Sequence, residues 1–181
     1  MILRPARART LILMALGTVA FATGALVGCA PRSAPTPTPT AVFATEKEAF
    51  AAAEEAYMAY NEAVNDARET QQTLAPEKFL TGKILAAETA TSQTLAESHI
   101  HLEGPTQVME FAGVSADTGV AVSRVVARVC VDIRNVRAID AEGNDVTATG
   151  RSDIYGLDVE FSGNSELLLI SDYEVNPEIP C

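Results

Sequence analysis

The apolar residues of this chain change their spacing once, near Ser98, and that change limits the folds open to it. Between residues 46 and 97 they recur every three or four positions; beyond Ser98 they recur every second position. A period near 3.6 gives a helix one buried stripe, and a period of two gives a strand one buried face. Helices first and strands after predict an α+β fold, with the helices on one face of a curved antiparallel sheet of about four strands.

The helical part opens at "TEKE". Thr45 is placed as an N-cap with Glu48 three residues on, the pattern of a capping box. In the segment that follows, Phe50, Ala53, Tyr57, Tyr60 and Val64 share one face, which predicts an amphipathic helix of about 23 residues. Pro76 is suited to start a short second helix ending near Phe79 and Leu80, and Gly82 to break it. Residues 83–97, with Ile84, Leu85, Ala87 and Leu95, predict a third.

Alternation begins at "HIHLE" (99–103), where Ile100 and Leu102 take one face and His99, His101 and Glu103 the other. Residues 107–114 are expected to form a strand after the Gly104-Pro105 interruption. The clearest strand follows in "VSRVVARVCVDIRNVRAID". Val125, Ala127, Val129, Val131 and Ile133 face one way, and Arg124, Arg128, Cys130, Asp132 and Arg134 the other. The apolar parity then jumps to Val136 and Ala138. A one-residue slip in a period of two predicts a β-bulge near Asn135. "DAEGND" (140–145) has turn chemistry, Tyr155 to Phe161 alternates again, Gly163-Asn164 suits a hairpin, and "ELLLISDYEV" is the last strand.

Ahead of this region stand a basic start with Arg4, Arg7 and Arg9, and an apolar run over residues 11–27. That is the layout of a secretory signal, and the run is short for a bilayer span of about 20 residues. Leu26-Val27-Gly28-Cys29 resembles a bacterial lipobox. The resemblance implies cleavage before Cys29 and a thioether-linked lipid on its sulfur, with acyl chains (palmitate) holding the protein to the membrane. "APRSAPTPTPTA" (30–41) has four prolines, three threonines and no large apolar side chain. Such a segment favours extended polyproline II and acts as a stalk. The expected organisation is a signal peptide over 1–28, the lipidated cysteine and linker over 29–44, and a single domain over 45–181.

Loss of residues 1–28 removes three of thirteen basic residues, leaving ten against 24 acidic ones, a formal charge of −14. That balance opposes a nucleic-acid partner, which needs a basic face. It equally opposes electrostatic docking on anionic lipid, so the acyl chains are expected to hold the protein to the cell membrane, facing outside the cytoplasm. Cys130 and Cys181 remain after Cys29 is lipidated. An even number of cysteines in an exported domain predicts a disulfide. Cys130 lies on the polar strand face, so the bridge is expected to pin the C-terminal tail across the back of the sheet.

The order of a long helix, shorter helices and four long curved strands resembles the cone-shaped fold of nuclear transport factor 2-like proteins. It is more specifically similar to small actinobacterial surface lipoproteins of that superfamily. The segments that carry the likeness are "AEEAYMAYNEAVN", "VCVDIRNVRAIDAEGNDV", "GLDVEF", "LLLISDYEV" and the terminal Cys181, within residues 45–181. The superfamily includes isomerases, dehydratases and non-enzymatic binding domains, so fold does not select function. The resemblance implies a cone. It would be lined by Val125, Val129, Val131, Leu157 and Val159, with Tyr57 and Tyr60 near its mouth.

No Gly-rich phosphate loop, GxSxG, HExxH or CxxC is present, and no cofactor is expected. His99, His101 and Glu103 at i, i+2 and i+4 would point to one side of a strand, a geometry open to zinc. The same pattern is that of a solvated strand face, and no metal is expected. Asp132, Asp158 and Glu160 fall on polar strand faces, leaving no carboxylate readable inside the cone. The expected function is therefore a non-catalytic binding or interaction module. Its partner would be another envelope protein or a small apolar ligand. The alternative is an extracytoplasmic cone-fold enzyme of isomerase or hydro-lyase type, which needs an inward ionisable group.

Overall fold

The computed structural model describes residues 41–181. The signal segment, Cys29 and most of the linker lie outside the described residues. Helix α1 spans Glu46–Thr70 and α2 Gly82–Glu97. Strands follow at His101–Glu103 (β1), Gln107–Asp117 (β2), Ser123–Asp132 (β3), Arg137–Ile139 (β4), Ile154–Gly163 (β5) and Leu168–Val175 (β6). Four strands form one antiparallel sheet in the order β2-β3-β5-β6, and β1 pairs with β4 beside it. The two helices pack on this sheet, which is the α+β arrangement expected.

Thr45 caps α1 through its Oγ1, which accepts from the Glu48 backbone N–H at 3.1 Å. Glu48 reaches back to accept from the Ala44 N–H at 3.0 Å, so two otherwise unpaired donors are satisfied. The helix buries Ala49, Ala53 and Tyr57 against the sheet. Small residues at 49 and 53 let the backbone come close, and Gly113 on β2 leaves room for the Phe50 ring, which a Cβ there would strike. The opposing surface is the inward row of β3, with Val125, Ala127 and Val129 fully buried. Burial of each valine or larger side chain contributes about 1.5–3 kcal/mol.

Phe43 is 2% exposed and belongs to this core, while the Val42 N–H donates to the Gly119 carbonyl at 3.0 Å. The folded region thus begins before residue 45, inside the segment assigned above to the linker. The expected short second helix is a single 3-10 turn, Pro76–Lys78. Phe79, Leu80 and Thr81 then run along the outer edge of β6. Thr81 N–H donates to the Ile170 carbonyl at 2.8 Å, and Ile170 N–H to that of Phe79 at 3.0 Å. Gly82 begins α2 with φ +61, a left-handed turn out of this edge contact that favours glycine.

The slip near Asn135 is a turn and not a bulge. Asp132 Oδ1 accepts from the Arg134 N–H at 2.9 Å, and Val136 N–H donates to the Ile133 carbonyl at 2.9 Å. An aspartate that binds the backbone two residues on ends a strand. What reads as one long strand is therefore β3, a turn, and β4. The bulges lie elsewhere: at Met109 and Val114 in edge strand β2, and at Ser171 in β6. Bulges bend an edge strand and hinder pairing with another chain.

Cys130 and Cys181 form a disulfide, with Cα atoms 5.7 Å apart. Cys130 sits opposite Gly156 on β5. The tail crosses that glycine: the Asn176 N–H donates to the Gly156 carbonyl at 2.8 Å, and a Cβ on Gly156 would meet Ile179 Cβ at 2.5 Å. Arg124 and Arg128 pair with Glu160 and Asp158 on the same back face. Cys130→Ser or Cys181→Ser should lower stability by up to about 4 kcal/mol on the chain-entropy account. Gly156→Ala should cost about 1–3 kcal/mol by overpacking. Calorimetry with limited proteolysis checks both: the tail should become cleavable while the sheet's circular dichroism persists.

Candidate functional site

A cleft of about 650 Å³ opens where the second half of α1 and α2 diverge over β6 and β1. It falls within the size range of small-molecule sites. Its lining mixes apolar side chains, Val64, Leu95, Ala96, Ile100 and Leu102, with polar ones: Tyr60 and Arg68 from α1, Glu88 from α2, His101 from β1 and Tyr173 from β6.

Tyr60 is set in place by a relay of rings. Phe161 in the sheet lies 6.2 Å from Phe111, Phe111 6.4 Å from Tyr57, Tyr57 6.4 Å from Tyr60 edge-on, and Tyr60 6.1 Å from Phe79. Offset and edge-on pairs at such distances are favourable for aromatic side chains. Arg68 is held from the other side. Its Nη1 donates to Thr106 Oγ1 at 2.8 Å and to the Gly104 carbonyl at 3.4 Å. Asn65 clamps the same residue twice: its Nδ2 donates to the Thr106 carbonyl and its Oδ1 accepts from the Thr106 N–H, each at 2.9 Å. Asn61 adds a third contact at 3.2 Å. A polar stripe at 61, 65 and 68 thus ties α1 to the start of β2.

The Tyr173 hydroxyl donates to Glu88 Oε1 and joins β6 to α2. Burial pushes the Tyr173 phenol far above the ordinary tyrosine range; neighbouring Tyr60 and the hydrogen bond to Glu88 push it further. Burial does the same to Tyr60, with the Glu88 charge adding to it. It also does so to Tyr57, with Tyr60 adding. Burial lowers Arg68, and the neighbouring Tyr60 and Glu88 oppose that. At neutral pH the three phenols are therefore neutral hydrogen-bonding groups beside one guanidinium and one carboxylate.

The predicted pocket residues divide. Tyr60 lines the cleft. Tyr57 is 5% exposed and is packed between Tyr60 and Phe111. Val125, Val129, Val131, Leu157 and Val159 are buried in the core, and none of them lines the cleft. They belong to one buried cluster with Ala49, Ala53 and Tyr57 of α1, so that side of the sheet is filled. The strand geometry considered for His99, His101 and Glu103 does not form: His99 precedes β1 with φ +55, so it shares no strand face with His101 and Glu103. His101 Nε2 lies 3.1 Å from Glu103 Oε1. The described residues contain no group of three or more His, Cys, Asp or Glu side chains placed to hold a metal ion.

The acids weighed from the sequence lie on strand faces; the cleft takes its acid, Glu88, from α2 instead. Its signal was present: it is the sole acid from Gly82 to Ala96, and it shares the stripe of Ile84, Ser92 and Leu95. Tyr173 gave no such signal. Strict alternation from Ile170 would turn Asp172 inward, but the bulge at Ser171 shifts the register so that Tyr173 faces in, opposite Val159. Asp172 instead pairs with Lys83 on the outside.

Because folding raises these tyrosine pKa values, the stability they contribute is complete below about pH 10, the value in an unfolded chain. It is lost as pH climbs from there towards the folded-state values. In a Tyr155→Phe variant, which leaves only Tyr57, Tyr60 and Tyr173, phenolate absorbance should rise only together with loss of the circular dichroism signal. Ionisation of the three near pH 10 with the fold intact would contradict the burial argument.

No known protein family and no curated protein matches the chain. Among solved structures it is similar to the crystal structure of the intermembrane space region of the chloroplast protein ARC6. The identity is 14% and the TM-score 0.49, with 70% of this chain and 95% of that one covered.

Proposed function

We propose that this chain is a lipid-anchored lipoprotein of the cell membrane whose domain, outside the cytoplasm, binds a small ligand without transforming it. The observation that carries the reading is the cleft itself: about 650 Å³, lined by apolar and hydrogen-bonding side chains together. Apolar burial at about 25 cal/mol per Å² holds a ligand, and a few polar groups orient it. The anchor rests on Leu26-Val27-Gly28-Cys29 at the end of an apolar run, followed by a proline-threonine stalk. Among the described residues no helix is long and apolar enough to cross a membrane. Membership of the small surface lipoproteins with a cone-shaped domain is part of the same proposal. The acidic balance speaks against nucleic acid as a partner.

A second reading is an extracytoplasmic enzyme of isomerase or hydro-lyase type. Glu88 favours it, since a half-buried carboxylate hydrogen-bonded to a phenol is a usable acid-base pair. The binding reading is preferred because each of these groups is anchored through one atom, Glu88 Oε1 by Tyr173 and Arg68 Nη1 by Thr106, which suits holding a ligand in place.

Metabolic labelling with a lipid precursor should mark the wild type, and Cys29→Ala should abolish the label. An unlabelled wild type would sink the anchor. For the cleft, Ser92→Trp should fill the space and abolish uptake of a neutral solvatochromic dye by the chain in nanodiscs, measured above empty nanodiscs. Equal uptake by both proteins would remove the cleft from the proposal. Turnover of a small substrate that is lost in Glu88→Gln, with folding retained, would establish the enzymatic reading instead.

A further inference from the structure

We infer that the cleft selects an uncharged amphiphile, one whose polar end both donates and accepts hydrogen bonds, as a primary amide does. The inference rests on the reading of the cleft as a ligand site. Its lining carries one guanidinium, Arg68, and one carboxylate, Glu88, on the two helices that frame the opening, while the imidazole of His101 is taken up by Glu103 at 3.1 Å. Arg68 and Glu88 are both half-buried. Arg68 uses Nη1 on Thr106 and Gly104, and among the described residues its Nη2 and Nε have no partner. Glu88 uses Oε1 on Tyr173, and its Oε2 has no partner among the described residues. The lining thus presents spare donors from α1 and a spare acceptor from α2.

That arrangement penalises an ion of either sign. A carboxylate drawn to Arg68 meets the charge of Glu88, and an ammonium drawn to Glu88 meets that of Arg68. The opposing contributions largely cancel at similar distances. The ion still gives up its water on entering a space also lined by Val64, Leu95, Ile100 and Leu102, and an unpaired charge is costly to desolvate. A neutral head with N–H and C=O groups meets no such conflict. Its N–H donates to Glu88 Oε2 while its carbonyl accepts from Arg68 or Tyr60. Tyr60 and Tyr173 stay neutral at working pH and leave the balance unchanged. The apolar side chains of the lining take the hydrocarbon.

The test uses the intact chain in nanodiscs and three water-soluble probes of equal length: hexanamide, hexanoate and hexylammonium. Binding is measured by calorimetry at pH 7 against empty nanodiscs. Hexanamide should bind at least about tenfold more tightly than either ion, a difference of about 1.4 kcal/mol. Tighter binding of either ion would overturn the inference and leave the ligand-binding reading standing. Absence of binding by all three would overturn both. Glu88→Gln removes one charge and keeps an acceptor for Tyr173. It should raise hexanoate affinity at least about tenfold and change that of hexanamide by less than about threefold. A folded variant with no gain for hexanoate would refute the charge-balance argument.

Discussion

The close approach of α1 to the sheet governs the rest of the molecule. Ala49 and Ala53 remove side-chain bulk from the helix, and Gly113 removes it from β2, so the two layers meet at the inward row of β3. Everything near that contact is filled. The larger space opens where α2 leaves the sheet, because α2 buries Ile84 alone and turns its later residues towards a gap. The cleft is thus displaced from the middle of the sheet to the helix side, and its chemistry comes from helices and an edge strand.

Two polar ties keep that gap from collapsing or spreading. Asn61, Asn65 and Arg68 secure α1 to Thr106, and Glu88 secures α2 to Tyr173. Half-buried polar groups with partners cost little, whereas the same groups unpartnered are expensive. The ties therefore hold the two helices apart at a defined width and place Arg68 of α1 and Glu88 of α2 in the lining of one cleft. On the far side of the sheet the disulfide and Gly156 hold the tail flat.

The layer architecture was legible because it depends on periodicity and caps. Thr45, the β3 valines and the parity of Cys130 each report a local rule that the whole fold obeys. The site was less legible because register and turning decide it. The slip after Ile133 reads equally as a bulge or a turn until the Asp132 side chain is seen bonding the backbone. Five inward strand residues looked like pocket lining because parity reports the face and not what covers it. Phe43 sits beside a proline-rich segment and resembles linker, yet long-range packing buries it. Glu88 could have been found, as a lone acid on the inward stripe of α2; Tyr173 could not, since no local rule announces the bulge at Ser171.

That bulge makes the identity of one cleft wall a matter of residue counting. Asp172 and Tyr173 are neighbours in the chain and face opposite sides, and the extra residue at Ser171 determines which of them looks inward. The spare residue lies where Gly82 turns into α2, with the Ser171 carbonyl 3.3 Å from where a Cβ on Gly82 would sit. Register and helix entry are therefore set at one crowded point. Insertions and deletions in β6, more than point substitutions, are the changes that exchange a phenol for a carboxylate inside this fold. A lineage built on the same scaffold has a short route from a neutral wall to an acidic one.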